Sequence, residues 1–154
     1  MGDRANNLNT AKGFIKKEIG KIINQSSVYE TAAWGITQQP PFLNQVLFVE
    51  TRFSAGPIMD MILSIENKMG RIRTKKNASR IIDIDILFFN NDIIHEKDLN
   101  IPHPEIQNRK FVLVPLTELS PGFVHPVLQK PASQILSECN DELDVKLFKL
   151  PVSL

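Results

Sequence analysis

Arg80-Ile81-Ile82-Asp83-Ile84-Asp85-Ile86-Leu87-Phe88-Phe89 is the stretch on which the fold turns. It is rich in Ile and Phe, and it alternates. Asp83 and Asp85 fall on one face and Ile82, Ile84 and Ile86 on the other, which predicts a strand over 80–89. Two carboxylates on one strand face repel each other and lose solvation beside apolar neighbours unless a cation lies between them. Oxygen-only ligands at this spacing suit Mg²⁺ rather than Zn²⁺, above all where phosphates supply the remaining ligands. Just upstream, Arg71, Arg73, Lys75, Lys76 and Arg80 form a cationic run with no acid among them. Carboxylates beside clustered cations are the composition of a phosphate-transfer site. The other reading of the same residues is a solvated strand face beside a basic loop.

Around this stretch the chain has 154 residues, enough for one domain over 1–154, and its 42% hydrophobic content supports a core. A net charge of +1 gives no global basic field for nucleic acid or membrane. Cys139 is the only cysteine, so no intrachain disulfide or cysteine metal cluster forms. No apolar run is long enough to span a bilayer and no signal-peptide pattern is present, which predicts a cytoplasmic protein.

Periodicity predicts a helix from the start to about residue 23, with Asp3 as N-cap and Leu8, Ala11, Ile15, Ile19 and Ile22 as its stripe. A short strand follows over 26–31, then a loop over 32–41. Trp34 in that loop is either a satellite core residue or a pocket wall. A long strand is predicted over 42–53, covered on both faces for part of its length. Phe42 and Asn44 share one of its faces. Asn44 could cap a turn or present its amide to a heterocycle, which needs donor and acceptor together.

The clearest helix is 57–69, opened by Pro57, ended by Gly70 and striped by Ile58, Met61, Ile62, Ile65 and Met69. Glu66 lies near its end, where an acid gains nothing from the helix dipole. The strand over 80–89 should turn at 90–92 into a return strand at 93–94, making a hairpin. Of three histidines, His103 is the one held between two prolines, with a set direction. Helices are predicted over 111–119 and 133–139, and a strand or extended tail over 144–150. The sum is an α+β fold, an antiparallel sheet with helices packed on it.

Val28-Tyr29-Glu30-Thr31, Phe42-Leu43-Asn44, Gly70-Arg71-Ile72-Arg73, Arg80-x-x-Asp83-Ile84-Asp85-Ile86-Leu87 and Pro102-His103 followed by Arg109-x-Phe111 occur in this order and spacing. Together they closely resemble the 6-hydroxymethyl-7,8-dihydropterin pyrophosphokinase family of folate synthesis, over roughly residues 2–123. The resemblance implies a ferredoxin-like α+β fold and transfer of pyrophosphate from ATP to the hydroxymethyl-dihydropterin, leaving AMP. It implies that Asp83 and Asp85 hold two Mg²⁺ ions. Arg71, Arg73, Arg80 and His103 match positions around the triphosphate, Arg109 a position near the transferred diphosphate, and Glu66 an ATP-site acid. Phe42 and Phe111 match an aromatic pair that sandwiches the pterin. Asn44 matches the group that bonds its edge, and Thr31, Ala32 and Trp34 match the lining of its pocket. The implied partners are these small molecules alone, with no nucleic acid and no membrane.

The chain also departs from the family. Asn77-Ala78-Ser79 precede Arg80 where members usually carry tryptophan, glycine and proline. Members begin with a hydrophobic strand running into Gly-Ser-Asn-Leu-Gly-Asp-Arg, whereas this sequence opens inside that motif at Met1-Gly2-Asp3-Arg4. The resemblance therefore implies that a strand central to the sheet is absent, through a misplaced start or a truncation. Backbone groups would be left unpaired, and the chain would be monomeric only with that strand present. Two competing readings follow: a catalytically silent relative with an open sheet edge, and an RNA-binding domain that uses the basic loop. The Asp pair argues against the second, since carboxylates repel phosphate without a metal.

Overall fold

The computed structural model describes residues 3–31, 42–70 and 81–149. In chain order the elements are α1 (Arg4–Glu18), β1 (Lys21–Gln25), β2 (Tyr29–Thr31), β3 (Phe42–Asn44), β4 (Leu47–Glu50), α2 (Ala55–Lys68), β5 (Ile94–Glu96), β6 (Leu99–Ile101), a 3-10 turn (Ile106–Asn108), α3 (Lys110–Leu119), α4 (Ala132–Glu138) and β7 (Val145–Leu147). The fold is mixed α+β. Its described ladders are all antiparallel and form three small sheets, ordered β1-β4, β3-β2-β7 and β5-β6.

Asp3 caps α1 as expected, accepting from the Asn6 N–H at 3.1 Å, and Ala11, Ile15 and Ile19 are buried. The helix stops at Glu18 rather than near residue 23. The Thr51 hydroxyl donates to the Ile19 carbonyl at 2.8 Å, and the chain turns at Gly20 into β1, which pairs with β4. A Cβ on Gly20 would lie 2.1 Å from the Glu50 carbonyl oxygen, so only glycine allows the two chains to pass this closely.

The strand predicted over 42–53 is two strands. β3 pairs with β2 and β4 with β1, and the break at Gln45 and Val46 lies opposite a break at Ser26. There the Ser26 hydroxyl accepts from the Val46 N–H at 3.0 Å, and its carbonyl accepts from the Gln45 side chain at 2.7 Å. A buried serine thus satisfies backbone groups where the ribbon bends. The strand predicted over 26–31 is correspondingly shorter, at 29–31.

The helix α2 has the expected stripe, with Ile58, Ile62 and Ile65 buried, and Gly70 follows it at φ +100°. α3 forms with Pro115 inside it, fully buried, and α4 and β7 fall near the expected places.

The main correction concerns residues 81–89. Their alternation is real: Asp83 and Asp85 are exposed, while Ile82, Ile84 and Ile86 are half-buried. Yet the segment joins no ladder among the described residues. The turn after it exists, with the Asp92 N–H donating to the Phe89 carbonyl at 3.0 Å and Asn90 at φ +52°. The return strand, however, pairs forward with β6 rather than back. Alternation specifies which face a residue takes; a ladder needs a second edge in register, which no pattern within one segment supplies.

Helices α1 and α2 bury one apolar cluster built on Ile15, Ile19, Ile58, Ile62 and Ile65. Helices α3 and α4 bury a pair of clusters around Leu113, Leu116 and Ile135. β4 and residues 84–88 feed both sides. Leu47, Val49, Ile84 and Ile86 pack on the first cluster, and Phe48, Leu87 and Phe88 on the others. This is the two-sided cover predicted for the strand's centre. No helix among the described residues is long and apolar enough to cross a membrane.

Candidate active site

One open-sided cavity of about 1690 Å³ is present among the described residues. Thr31, Phe42, Asn44, Arg109 and Phe111 border it, and so do Asp83 and Asp85. These seven sequence-predicted residues, drawn from four stretches of chain, therefore border one cavity. Ala32, Trp34, Arg71, Arg73 and Arg80 lie outside the described residues. Glu66 and His103 do not border the cavity but stand behind it.

The local structure explains each placement. β2 and β3 pair with Thr31 opposite Phe42, and the Asn44 amide donates to the Thr31 hydroxyl at 3.2 Å, which orients that amide. Phe42 is 54% exposed at the cavity rim. An aromatic ring left this open on a strand is available for stacking with a flat ligand. Across the cavity, α3 carries Phe111 in its first turn, and the Arg109 guanidinium lies 5.7 Å from the Phe111 ring centre. α3 is tied to the β2 side through Glu118. That carboxylate accepts from the Ser27 N–H at 3.0 Å, the Ser27 hydroxyl at 3.1 Å and the Tyr29 hydroxyl at 2.6 Å. Glu118 thereby links the helix that carries Phe111 to β2, which pairs with the strand of Phe42.

The Asp83-Ile84-Asp85 segment is held by its backbone. Glu66, 5% exposed, accepts from the Ile84 N–H at 2.9 Å, and the Leu87 carbonyl accepts from the His103 N–H at 2.9 Å. A buried carboxylate at the unfavourable end of α2 is thus spent on the residue between the two aspartates. His103 Nδ1 accepts from the Glu105 N–H at 3.1 Å, so the neutral ring carries its proton on Nε2. Its pKa is lowered from 6.5, first by burial and further by Arg109, while Asp85 and Glu105 pull it up. Asp85, Arg109 and Glu105 are therefore each close enough to act on His103. His125, which is buried, accepts from the Val127 and Leu128 N–H groups at 3.1 Å and closes a turn. Its role is structural.

Among the described residues no group of three or more His, Cys, Asp or Glu side chains could hold a metal. The donor set at Asp83 and Asp85 is two oxygen-only carboxylates facing a cavity. That chemistry fits a hard ion completed by water and ligand phosphates, and does not fit Zn²⁺.

Residues 1–121 match the family model for 7,8-dihydro-6-hydroxymethylpterin-pyrophosphokinase. The chain belongs to this family. The pyrophosphokinase of Haemophilus influenzae is 37% identical over 130 residues, covering 84% of this chain and 78% of that protein. The Aquifex aeolicus pyrophosphokinase is 39% identical over 121 residues, 79% and 74% of the two chains. The folic acid synthesis protein fol1 of Schizosaccharomyces pombe is 37% identical over 139 residues; there the match spans 90% of this chain but only 19% of that protein. The family is one of ATP-dependent pyrophosphoryl transfer to hydroxymethyldihydropterin in folate synthesis.

Two residues that organise this site escape sequence reading, Glu118 and Asp141. Asp141 Oδ2 accepts from the Lys110 N–H at 3.0 Å and its Oδ1 from the Leu143 N–H at 3.0 Å. The second bond is a local turn that an Asp two residues before its partner could signal. The first joins residues 31 apart, and nothing in the sequence points to it.

Proposed function

We propose that this chain transfers pyrophosphate from ATP to 6-hydroxymethyl-7,8-dihydropterin, giving AMP and the pterin diphosphate. One observation carries the reading. Asp83 and Asp85 stand on the wall of the same cavity that Phe42, Asn44 and Phe111 border. A flat heterocycle seated between the two rings, its edge read by the Asn44 amide, would direct its hydroxymethyl group toward the carboxylates. Thr31, with Ala32 and Trp34, lines that pocket in this reading.

Asp83 and Asp85 would hold two Mg²⁺ ions, which would offset the negative charge of the phosphates. The pterin hydroxyl gives up its proton to solvent as it attacks the β-phosphorus in line; the new O–P bond forms as the bond from that phosphorus to the α,β-bridging oxygen breaks, and AMP leaves with that oxygen. Arg71, Arg73, Arg80 and Arg109 meet the charge that develops on the phosphates, and His103 offers a neutral Nε2–H donor. Glu66 acts in the ATP site through the Ile84 backbone that it holds. The protein works on small molecules in the cytoplasm, without nucleic acid or membrane, and as a monomer when a further strand completes the sheet.

The ferredoxin-like arrangement belongs to the same proposal. β4 pairs only with β1 among the described strands, and residues 82–88 join no ladder. Both border the cavity and pack on the same clusters. An extended apolar strand between them would pair with each, making a single antiparallel sheet covered by α1 and α2.

The test is AMP formation from ATP, Mg²⁺ and the hydroxymethyl-dihydropterin. Asp83→Ala and Asp85→Ala are each expected to lower turnover by at least about a hundredfold with the circular dichroism spectrum unchanged. Turnover close to that of the unsubstituted chain in either variant would remove the two-metal assignment.

A further inference from the structure

We infer that Asp141 is a positioning residue for Arg109 and Phe111, an inference that rests on the pyrophosphokinase reading and extends it beyond residues 1–121. α3 begins immediately after Arg109, which is its N-cap residue, and the Arg109 side chain makes no capping hydrogen bond. The first turn of a helix leaves N–H groups without intrahelical partners. Here a remote carboxylate supplies the cap: Asp141 Oδ2 takes the Lys110 N–H, and the negative charge also suits the positive end of the helix dipole. Lys110 stands between Arg109 and Phe111, so this bond fixes the Arg109–Lys110 peptide on the path between the two site residues.

The other end of the Asp141 segment is anchored as well. Oδ1 closes a turn on the Leu143 N–H, and two residues later Val145 pairs with Thr31 in the β7–β2 ladder. Asn140, Asp141, Glu142 and Leu143 border the same cavity as Phe42 and Phe111. The segment therefore spans from the strand that carries Thr31 to the helix start that carries Phe111. Its carboxylate sets the separation of the two pterin walls. A misplacement of about 1 Å at such a wall is enough to cost roughly a hundredfold in rate.

The experiment compares Asp141→Ala and Asp141→Asn with Asp144→Ala in the full chain. Asp144 lies in the same segment with its side chain 82% exposed. The readouts are pterin affinity from pterin fluorescence, ATP affinity, turnover and melting temperature. Asp141→Ala is expected to weaken pterin binding by roughly ten- to a hundredfold and lower turnover, with ATP affinity unchanged. Asp141→Asn keeps one acceptor oxygen and should fall between Asp141→Ala and the unsubstituted chain. Asp144→Ala should match the unsubstituted chain. Unchanged pterin affinity in Asp141→Ala, or parallel losses for pterin and ATP, would overturn the inference. Loss of folding in Asp141→Ala leaves the decision to Asp141→Asn, where equal pterin affinity to the unsubstituted chain also overturns it. An unsubstituted chain that binds neither ligand would instead overturn the pyrophosphokinase reading itself, and this inference with it.

Discussion

Tyr29 is the only tyrosine, and its hydroxyl donates to Glu118 at 2.6 Å. Ionising that phenol would place two negative charges in contact and lose the hydrogen bond. Its pKa is therefore pushed up to about 12 from 10, chiefly by the bond to Glu118. Glu118 responds in the opposite sense: burial raises it, but its bonds from Tyr29 and Ser27 outweigh burial and hold it below 4.5. The sign for stability follows from proton counting. Above pH 10 the unfolded chain loses the phenolic proton while the folded chain keeps it, so stability is complete below pH 10 and declines toward pH 12. Ultraviolet titration of the folded protein should show one tyrosinate transition near 12. In Glu118→Gln that transition should move back toward 10, since the negative partner is gone. A transition already near 10 in the unsubstituted protein would mean the bond does not hold in solution.

At the scale of elements, two glycines in neighbouring positions of one pattern have opposite meanings. Gly13 lies within α1, and a methyl group added there would meet nothing within 4 Å. The same group on Gly20 would have backbone atoms of Glu50 and Thr51 within 3.1 Å. Gly13→Ala should stabilise the protein by about 1 kcal/mol, the ordinary helix-propensity difference. Gly20→Ala should destabilise it by about 1–3 kcal/mol, because the backbone of β4 must move away from the chain end of α1. Denaturant unfolding of both variants measures the difference, and equal effects would show that the β1–β4 approach is looser in solution. The helix boundary that periodicity placed near residue 23 fails for this reason. The stripe of Ala11, Ile15 and Ile19 continues to Ile22, so the pattern reads on, but the residues after Gly20 are claimed by a strand distant in sequence, β4. Conversely α2 was legible almost whole, because its stripe, its early Pro57 and its Gly70 all act locally.

For the molecule as a whole, the decisive feature is the part of the cavity that lies between β4 and residues 82–88, not the part bordered by Phe42 and Phe111. Ile15, Ile19, Ile58 and Ile62 are core residues that nevertheless border it. Burying apolar surface is worth about 25 cal/mol per Å², and each backbone group buried without a partner costs roughly 1–3 kcal/mol. An apolar strand filling this space would act on both quantities at once, on a scale comparable with a domain's net stability of about 5–15 kcal/mol. Extending the chain ahead of Met1 with an alternating apolar strand that ends in Gly-Ser-Asn should raise the melting temperature and increase turnover. The comparison is with the same extension carrying charged residues at the apolar positions. If both extensions leave melting and turnover alike, the cavity is not a strand site and the ferredoxin-like arrangement fails with it.

What the sequence determined by itself is the set of properties that act along the chain. The Asp3 cap, the stripe of α2, the facing of Asp83 and Asp85 away from Ile84 and Ile86, and the family likeness all depend on spacing between near residues. The tertiary structure alone decided the pairings. It split the 42–53 strand at a buried serine, turned β5 toward β6, and set Glu66 behind Ile84 and Asp141 on Lys110. The physical reason is the same in each case. A hydrogen bond between residues distant in sequence depends on where packing brings two backbones together, and that position is a property of the whole core rather than of either segment.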